Sequence, residues 1–212
     1  MKKISLKIIF IFILFNNFFF LNLQSQIKNT IVVKVGGSLV TSIDIENEII
    51  TNLILGKREI TQVNINSMKN FSVKNLINKS IKKNEINKYQ IKNYNENDLK
   101  NYIRNIAKNL NTDANGLKKI FKQSGANYES FVERREIELL WNTLIFQLYS
   151  NQTNINMVDV DNEVEKIKDN KNKEELKKIK ENILNRRKEK KLQLFSRSHY
   201  SNLENTETIN FR

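Results

Sequence analysis

The chain has 212 residues, 39% of them hydrophobic, with five glycines, no proline, no cysteine and a formal net charge of +13. That length suits one ordinary domain with a tail, and so little glycine and proline speaks against a loop-rich catalytic fold, whose tight turns and phosphate-cradling loops draw on those residues. Without cysteine, disulfide frameworks, thiol nucleophiles and cysteine-held metals are excluded together, and a charge carried by abundant lysine sets solubility and non-specific association more than it identifies a partner.

The first segment carries Lys2, Lys3 and Lys7, then the apolar run Ile8 to Phe15, extended after Asn16-Asn17 by Phe18 to Leu21. A charged start followed by an apolar core is the pattern of a secretory signal peptide, assigned here to residues 1–25. Leu23 and Ser25 fall at the −3 and −1 positions of a cut before Gln26, of which only Ser25 is a small residue. The two asparagines hold the uninterrupted apolar stretch below the roughly 20 residues that span a bilayer. Left uncleaved, the same segment is a membrane anchor.

Residues 26–168 read as one helical domain. Thr30 to Val35 is β-rich and turns at Gly36-Gly37 into Ser38-Leu39-Val40, a hairpin pattern. Thr41, three residues before Asp44, predicts the cap of a helix through Ile45, Ile49, Ile50 and Leu53. Residues 56–66 are polar and predict a loop. From Ser67 the period is helical, with Val73, Leu76, Ile77, Ser80 and Ile81 on one face of a helix ending near Tyr89. Asn95 predicts the cap of the next helix, with Leu99, Tyr102, Ile103, Ile106 and Leu110 on one side. A shorter helix runs from Thr112 through Leu117, Ile120 and Phe121 to a stop at Gly125. Ile137, Leu140, Trp141, Leu144, Ile145 and Leu148 make the longest apolar face, with Trp141 as a core residue. Asp159 predicts the cap of a helix carrying Val160, Val164 and Ile167.

Residues 169–175 form a charged joint, and residues 176–212 a last helix and a closing strand. The helix opens with Leu176, Ile179 and Ile183 and carries the basic block Arg186 to Lys191. The chain finishes on the alternating run Thr206 to Arg212. A lone hairpin is marginally stable in water, so residues 206–211 are expected to pair with it, Ile209 and Phe211 sharing a face. The fold class expected is mainly α, a multi-helix domain with a small β-sheet made by the N-terminal hairpin and the C-terminal strand.

Two resemblances bear on function. Ile31 to Thr41 (IVVKVGGSLVT) resembles the opening strand and glycine loop of the amino-acid kinase family, where backbone N–H groups and a lysine, here Lys34, hold nucleotide phosphates. That match covers this segment alone, and Gly56, Gly116 and Gly125 stand isolated where further glycine-rich loops are needed. The second covers residues 30 to 168. The hairpin leading into Val40-Thr41-Ser42-Ile43-Asp44 is followed by Leu76-Ile77 with Ile81, then by Asn95 to Leu99 with Ile106-Ala107. Gly125, Tyr128, Phe131, Arg134, Arg135 and Ile137 come next, and Val158 to Val164 last. In order and spacing these resemble the N-terminal domain of the SurA-type periplasmic chaperones. The run from Leu194 to Arg212 resembles that family's C-terminal helix and strand. Where the family carries parvulin-type prolyl-isomerase domains, this chain has only the charged joint.

What the resemblance implies is an ATP-independent periplasmic holdase that binds unfolded exported polypeptides, outer-membrane proteins among them, without prolyl-isomerase activity. The alternatives are a membrane-tethered periplasmic scaffold or assembly factor and, from the Ile31 to Thr41 match, an amino-acid-kinase-like phosphotransferase. No catalytic, cofactor-binding or metal-ligating residue is expected. His199 is the sole histidine and reads as exposed in a polar tail. Asp159, Asp161 and Glu163 alternate like a cation loop but lack its glycine turn and terminal bidentate glutamate, so helix capping is expected of them. The block Arg186 to Lys191 lacks interleaved aromatics, which speaks against specific nucleic-acid binding and leaves a solvated face with transient contact to an anionic membrane surface.

Overall fold

A computed structural model describes residues 29–169 and 171–212; the signal-peptide assignment and its cleavage site lie outside the described residues. Among the described residues there are seven α-helices and one three-stranded antiparallel sheet. The hairpin is β1 (Ile31–Val35) and β2 (Ser38–Thr41). The helices are α1 (Ser42–Leu55), α2 (Gln62–Lys88), α3 (Glu96–Asn109) and α4 (Ala114–Gln123), then α5 (Tyr128–Tyr149), α6 (Met157–Glu165) and α7 (Lys173–Thr206). A short 3-10 turn (Ser150–Gln152) follows α5, and β3 (Ile209–Phe211) ends the order.

Local chemistry sets the boundaries. At the start of α1, Thr41 and Asp44 form a capping box: the Asp44 N–H donates to Thr41 Oγ1, and Thr41 N–H donates to Asp44 Oδ2 at 2.8 Å. Asn95, Asp113, Asn127 and Asn172 cap α3, α4, α5 and α7. Gly125 stands just past α4 at φ +76°, the left-handed conformation that a helix stop favours.

Four helix boundaries differ from the expectation. The expected loop at 56–66 ends at Thr61, whose side chain accepts the Asn64 N–H and starts α2 at Gln62. Asn156, not Asp159, caps α6; Asp159 sits in its first turn and Ile167 falls beyond its end, exposed. Asn172 with Glu175 forms a second capping box, so α7 begins inside the expected joint. The helix expected from Thr112 begins at Ala114 instead.

The closing strand pairs with the hairpin, but over Ile209–Phe211 and not the whole expected run 206–211, because Thr206 is the last residue of α7 and Glu207 its cap. The sheet order is β2-β1-β3, with Val35 opposite Ile209 and Val33 opposite Phe211. Beyond the strand ends, the Gly36 N–H donates to Thr208 O at 3.0 Å and the Arg212 N–H to Val32 O at 2.9 Å. Ile209 packs against the buried cluster that Val33, Val35, Val40, Leu76 and Ile81 form, whereas Phe211 remains 69% exposed. This sheet lies on α2.

Two further clusters lie in the helical part. Ile54 of α1 and Phe131 of α5 enclose Ala107, Leu117 and Phe121. Trp141, Leu144 and Ile145 of α5 meet Ile86 of α2 and, from α7, Leu192, Tyr200 and Leu203. Tyr200 and Leu203 touch both this cluster and the sheet cluster, so α7 joins the sheet to the helical layer.

Candidate functional site

The inward positions of α7 recur at helical spacing: Leu192, Ser196, His199, Tyr200 and Leu203. Trp141 is buried beneath them and donates from Nε1 to Ser196 Oγ at 2.8 Å. Beside this seam a cleft of about 400 Å³ opens between α5 and α7, with Ile145 and Leu192 as apolar lining and Asn142, Gln193 and Arg197 among the polar groups. Phe146 also lines it. One residue on from the buried Ile145, it turns about 100° away from the core and stays 59% exposed.

A second cleft, of about 630 Å³, runs between α6 and the opposite flank of α7. Arg186, Arg187, Lys190, Lys191 and Leu194 line it from α7. Arg186 and Arg187 each donate to one oxygen of Glu163, at 2.7 and 2.6 Å, and Lys191 donates to Asn154 O. The hydrogen bond from Arg187, with the charges of both arginines, holds the Glu163 carboxyl below its ordinary range. Asp161 pairs with Lys180. Asp161 and Glu163 therefore tie α6 to α7, contrary to the expected capping role, and the basic block is partly neutralised rather than a free solvated face. Lys190 and the exposed Leu194 leave a basic, partly apolar edge.

His199 is the clearest departure. Its side chain is only 15% exposed, with Nδ1 2.8 Å from Tyr149 Oη and Nε2 3.1 Å from Glu85 Oε1. With the proton on Nε2, the imidazole donates to Glu85 and accepts the Tyr149 hydroxyl. Burial pushes the Tyr149 phenol up, as do the charges of Tyr89 and Glu85, so it remains a donor rather than an activated nucleophile. Phe195 stacks on Tyr149 at 4.9 Å. These groups line neither cleft; they clamp α7 onto α2 and α5. A lone histidine between polar residues gave no sign of this in sequence, because its partners lie 50 and 114 positions away.

The kinase-like segment is the hairpin itself. Lys34 is exposed on β1, and Gly36 spends its N–H on Thr208 O. The side chains of Ser38 and Asn84 bond each other, and Asn84 also reaches Val35 O. The residues that carry the chaperone resemblance do structural work: Leu76 and Ile81 pack under the sheet, and Phe131 sits among Tyr102, Phe121 and Tyr128. Arg134 donates to Glu48 at 2.7 Å, and Arg135 lies over the Tyr102 ring. None of these lines the α5–α7 cleft; of the residues that carry the resemblance, Ser196 and Arg197 in the C-terminal run do.

Among the described residues no group of three or more His, Asp or Glu side chains is placed to hold a metal ion, and no helix is long and apolar enough to cross a membrane. No protein-family model matches the chain, and no curated protein does.

Proposed function

We propose that this chain is an ATP-independent periplasmic holdase of the SurA type, which binds unfolded exported polypeptides, outer-membrane proteins among them, and has no prolyl-isomerase activity. The observation that carries the reading is the solvent-open α5–α7 cleft, with Phe146 exposed beside Ile145 and Leu192 and polar side chains around them. Such a surface accepts an apolar side chain without specifying the residues around it. Burying one leucine or phenylalanine there is worth about 1.5–3 kcal/mol. Contacts of that size delay aggregation yet release a client once it buries the same side chain in its own core.

Dilution of a urea-unfolded barrel protein into buffer without nucleotide tests this by light scattering. The purified protein is expected to suppress aggregation, and Phe146→Ser, at unchanged melting temperature, to suppress it less. No acceleration of prolyl isomerisation is expected. If Phe146→Ser protects as well as the parent, the cleft is not the client site. If the parent protein fails to protect, the holdase reading falls.

A second reading, a membrane-tethered assembly factor in contact with anionic lipid, draws on Lys190 and Leu194 together with the exposed Val158 at the start of α6. Retention of Met1 on a membrane-bound protein favours it; a soluble periplasmic protein cut before Gln26 favours the first.

A further inference from the structure

The seam where α2, α3 and α5 meet holds a cleft of about 240 Å³, lined by Asn78, Lys79, Tyr102, Arg134, Arg135 and Glu138 among others. Most of its charges are already matched. Lys79 reaches Glu133 at 2.6 Å and Arg134 reaches Glu48 at 2.7 Å. Lys82 holds both oxygens of Glu138 at 2.7 Å. Arg135 differs: among the described residues it has no carboxylate partner. Its guanidinium lies 4.7 Å from the centre of the Tyr102 ring, and Tyr102 in turn stacks on Phe131. Its Nε is buried without a hydrogen-bond partner, and so is Asn78 Oδ1 in the same cleft.

Buried polar atoms left unpaired cost free energy, and one here is a donor and the other an acceptor; both are closed to solvent, so a ligand pairs with them only once the Arg135 and Asn78 side chains turn toward the cleft that their residues line. A guanidinium is a rigid fork of N–H donors that matches a carboxylate, and stacking on a ring holds its plane in place. Asn78 Oδ1 asks for an N–H. A carboxylate and an amide N–H a few bonds apart occur together in the last residue of a polypeptide and in any aspartate. We propose that this cleft binds a peptide-borne carboxylate, with Arg135 as the anchor and Asn78 accepting the neighbouring amide N–H. The volume suits the anion and the start of one residue, so the cleft reads charge at a single point and leaves the rest of a client to apolar contacts.

The proposal takes its ligand class from the holdase reading, and its test separates the two. Fluorescence anisotropy uses a labelled, aromatic-rich octapeptide in three forms: with a free α-carboxylate, as the C-terminal amide, and as that amide with one internal Asp. For the parent protein, at least one carboxylate-bearing form is expected to bind about tenfold more tightly than the plain amide. Whichever does so identifies the source of the carboxylate. Arg135→Gln is expected to bind all three forms like the amide, while Tyr102→Phe, which keeps the ring, retains the preference. Should Arg135→Gln fail to fold, Arg135→Lys keeps the charge without the fork and is expected to lose most of the discrimination. Equal affinity of the three forms for the parent protein overturns the site, as does an acid preference that survives Arg135→Gln. Inorganic phosphate that displaces the peptide at lower concentration than acetate does overturns the carboxylate assignment. A parent protein that suppresses aggregation without telling acid from amide keeps the holdase function and lacks this site; the reverse result keeps the site and removes that function.

Discussion

At the residue scale, Gly36 shows how one backbone angle holds two ends of the chain together. Its φ is +52°, and a Cβ there would stand 2.3 Å from Glu207 Oε1 and 3.1 Å from Asn84 Nδ2. The glutamate tip can swing aside, so the strain of the left-handed backbone is the larger part of the penalty. Gly36→Ala is expected to lower stability by about 1–2 kcal/mol, read as a lower urea midpoint at constant slope. Gly37→Ala is the control: nothing lies within 4 Å of its Cβ and its φ is outside the left-handed range. It should stay within about 0.5 kcal/mol of the parent. Equal loss in both variants would mean that general turn propensity, not the conformation of Gly36, sets the effect.

At the scale of elements, β3 and α7 act as one closing unit. The strand bonds to β1, Ile209 packs against the sheet cluster, and α7 is anchored through Trp141, Tyr149 and Glu85. Deleting Thr206 to Arg212 removes the ladder and one apolar contact but leaves the α7 clamp. With each backbone bond worth roughly 1 kcal/mol net, the expected loss is about 2–4 kcal/mol, with a lower melting temperature and faster proteolysis within residues 30–41. A truncated protein that melts and resists protease like the parent would show that β3 adds nothing to the sheet.

At the scale of the whole molecule, stability depends on pH from two sides. Burial pushes the Glu133 carboxyl up, but hydrogen bonds and charge from Lys79 and Lys83 outweigh it and leave the group below its usual 4.5. Its contribution is therefore present above pH 4.5 and is lost as pH falls through the lowered value. The phenols act in the opposite sense. Burial, then the hydrogen bond and charge of Glu136, push Tyr94 up to about 12, and burial raises Tyr128 and Tyr149. Above pH 10 the unfolded chain releases these protons while the folded one still holds them, so stability falls as pH rises through about 12. A plateau in melting temperature between these limits is expected. Glu133→Gln should make the acid fall shallower, and Tyr94→Phe the alkaline fall. Unchanged limbs in these variants would place the linkage on other groups.

The elements that were legible beforehand rest on short-range physics. The apolar spacing of α2, α3 and α5, the Thr41–Asp44 box and the stop at Gly125 all follow from contacts within a few residues and from backbone sterics, which one stretch of chain carries by itself. The pairing of β3 was also legible, because a hairpin with an unpaired edge and a distant alternating strand answer each other's need for hydrogen bonds. The rest required tertiary structure. Asn156 and Asp159 are both capping residue types, and the choice between them followed from α7 lying alongside, where Asp161 and Glu163 find Lys180, Arg186 and Arg187. His199 became a buried clamp only because α7 crosses α2 and α5, and Phe146 became the exposed wall of a cleft for the same reason. Arg135 was visible in the sequence only as part of the chaperone resemblance, beside Arg134. Its lack of a carboxylate partner is a property of which chains meet around it, and such long-range charge matching leaves no periodic trace in the sequence.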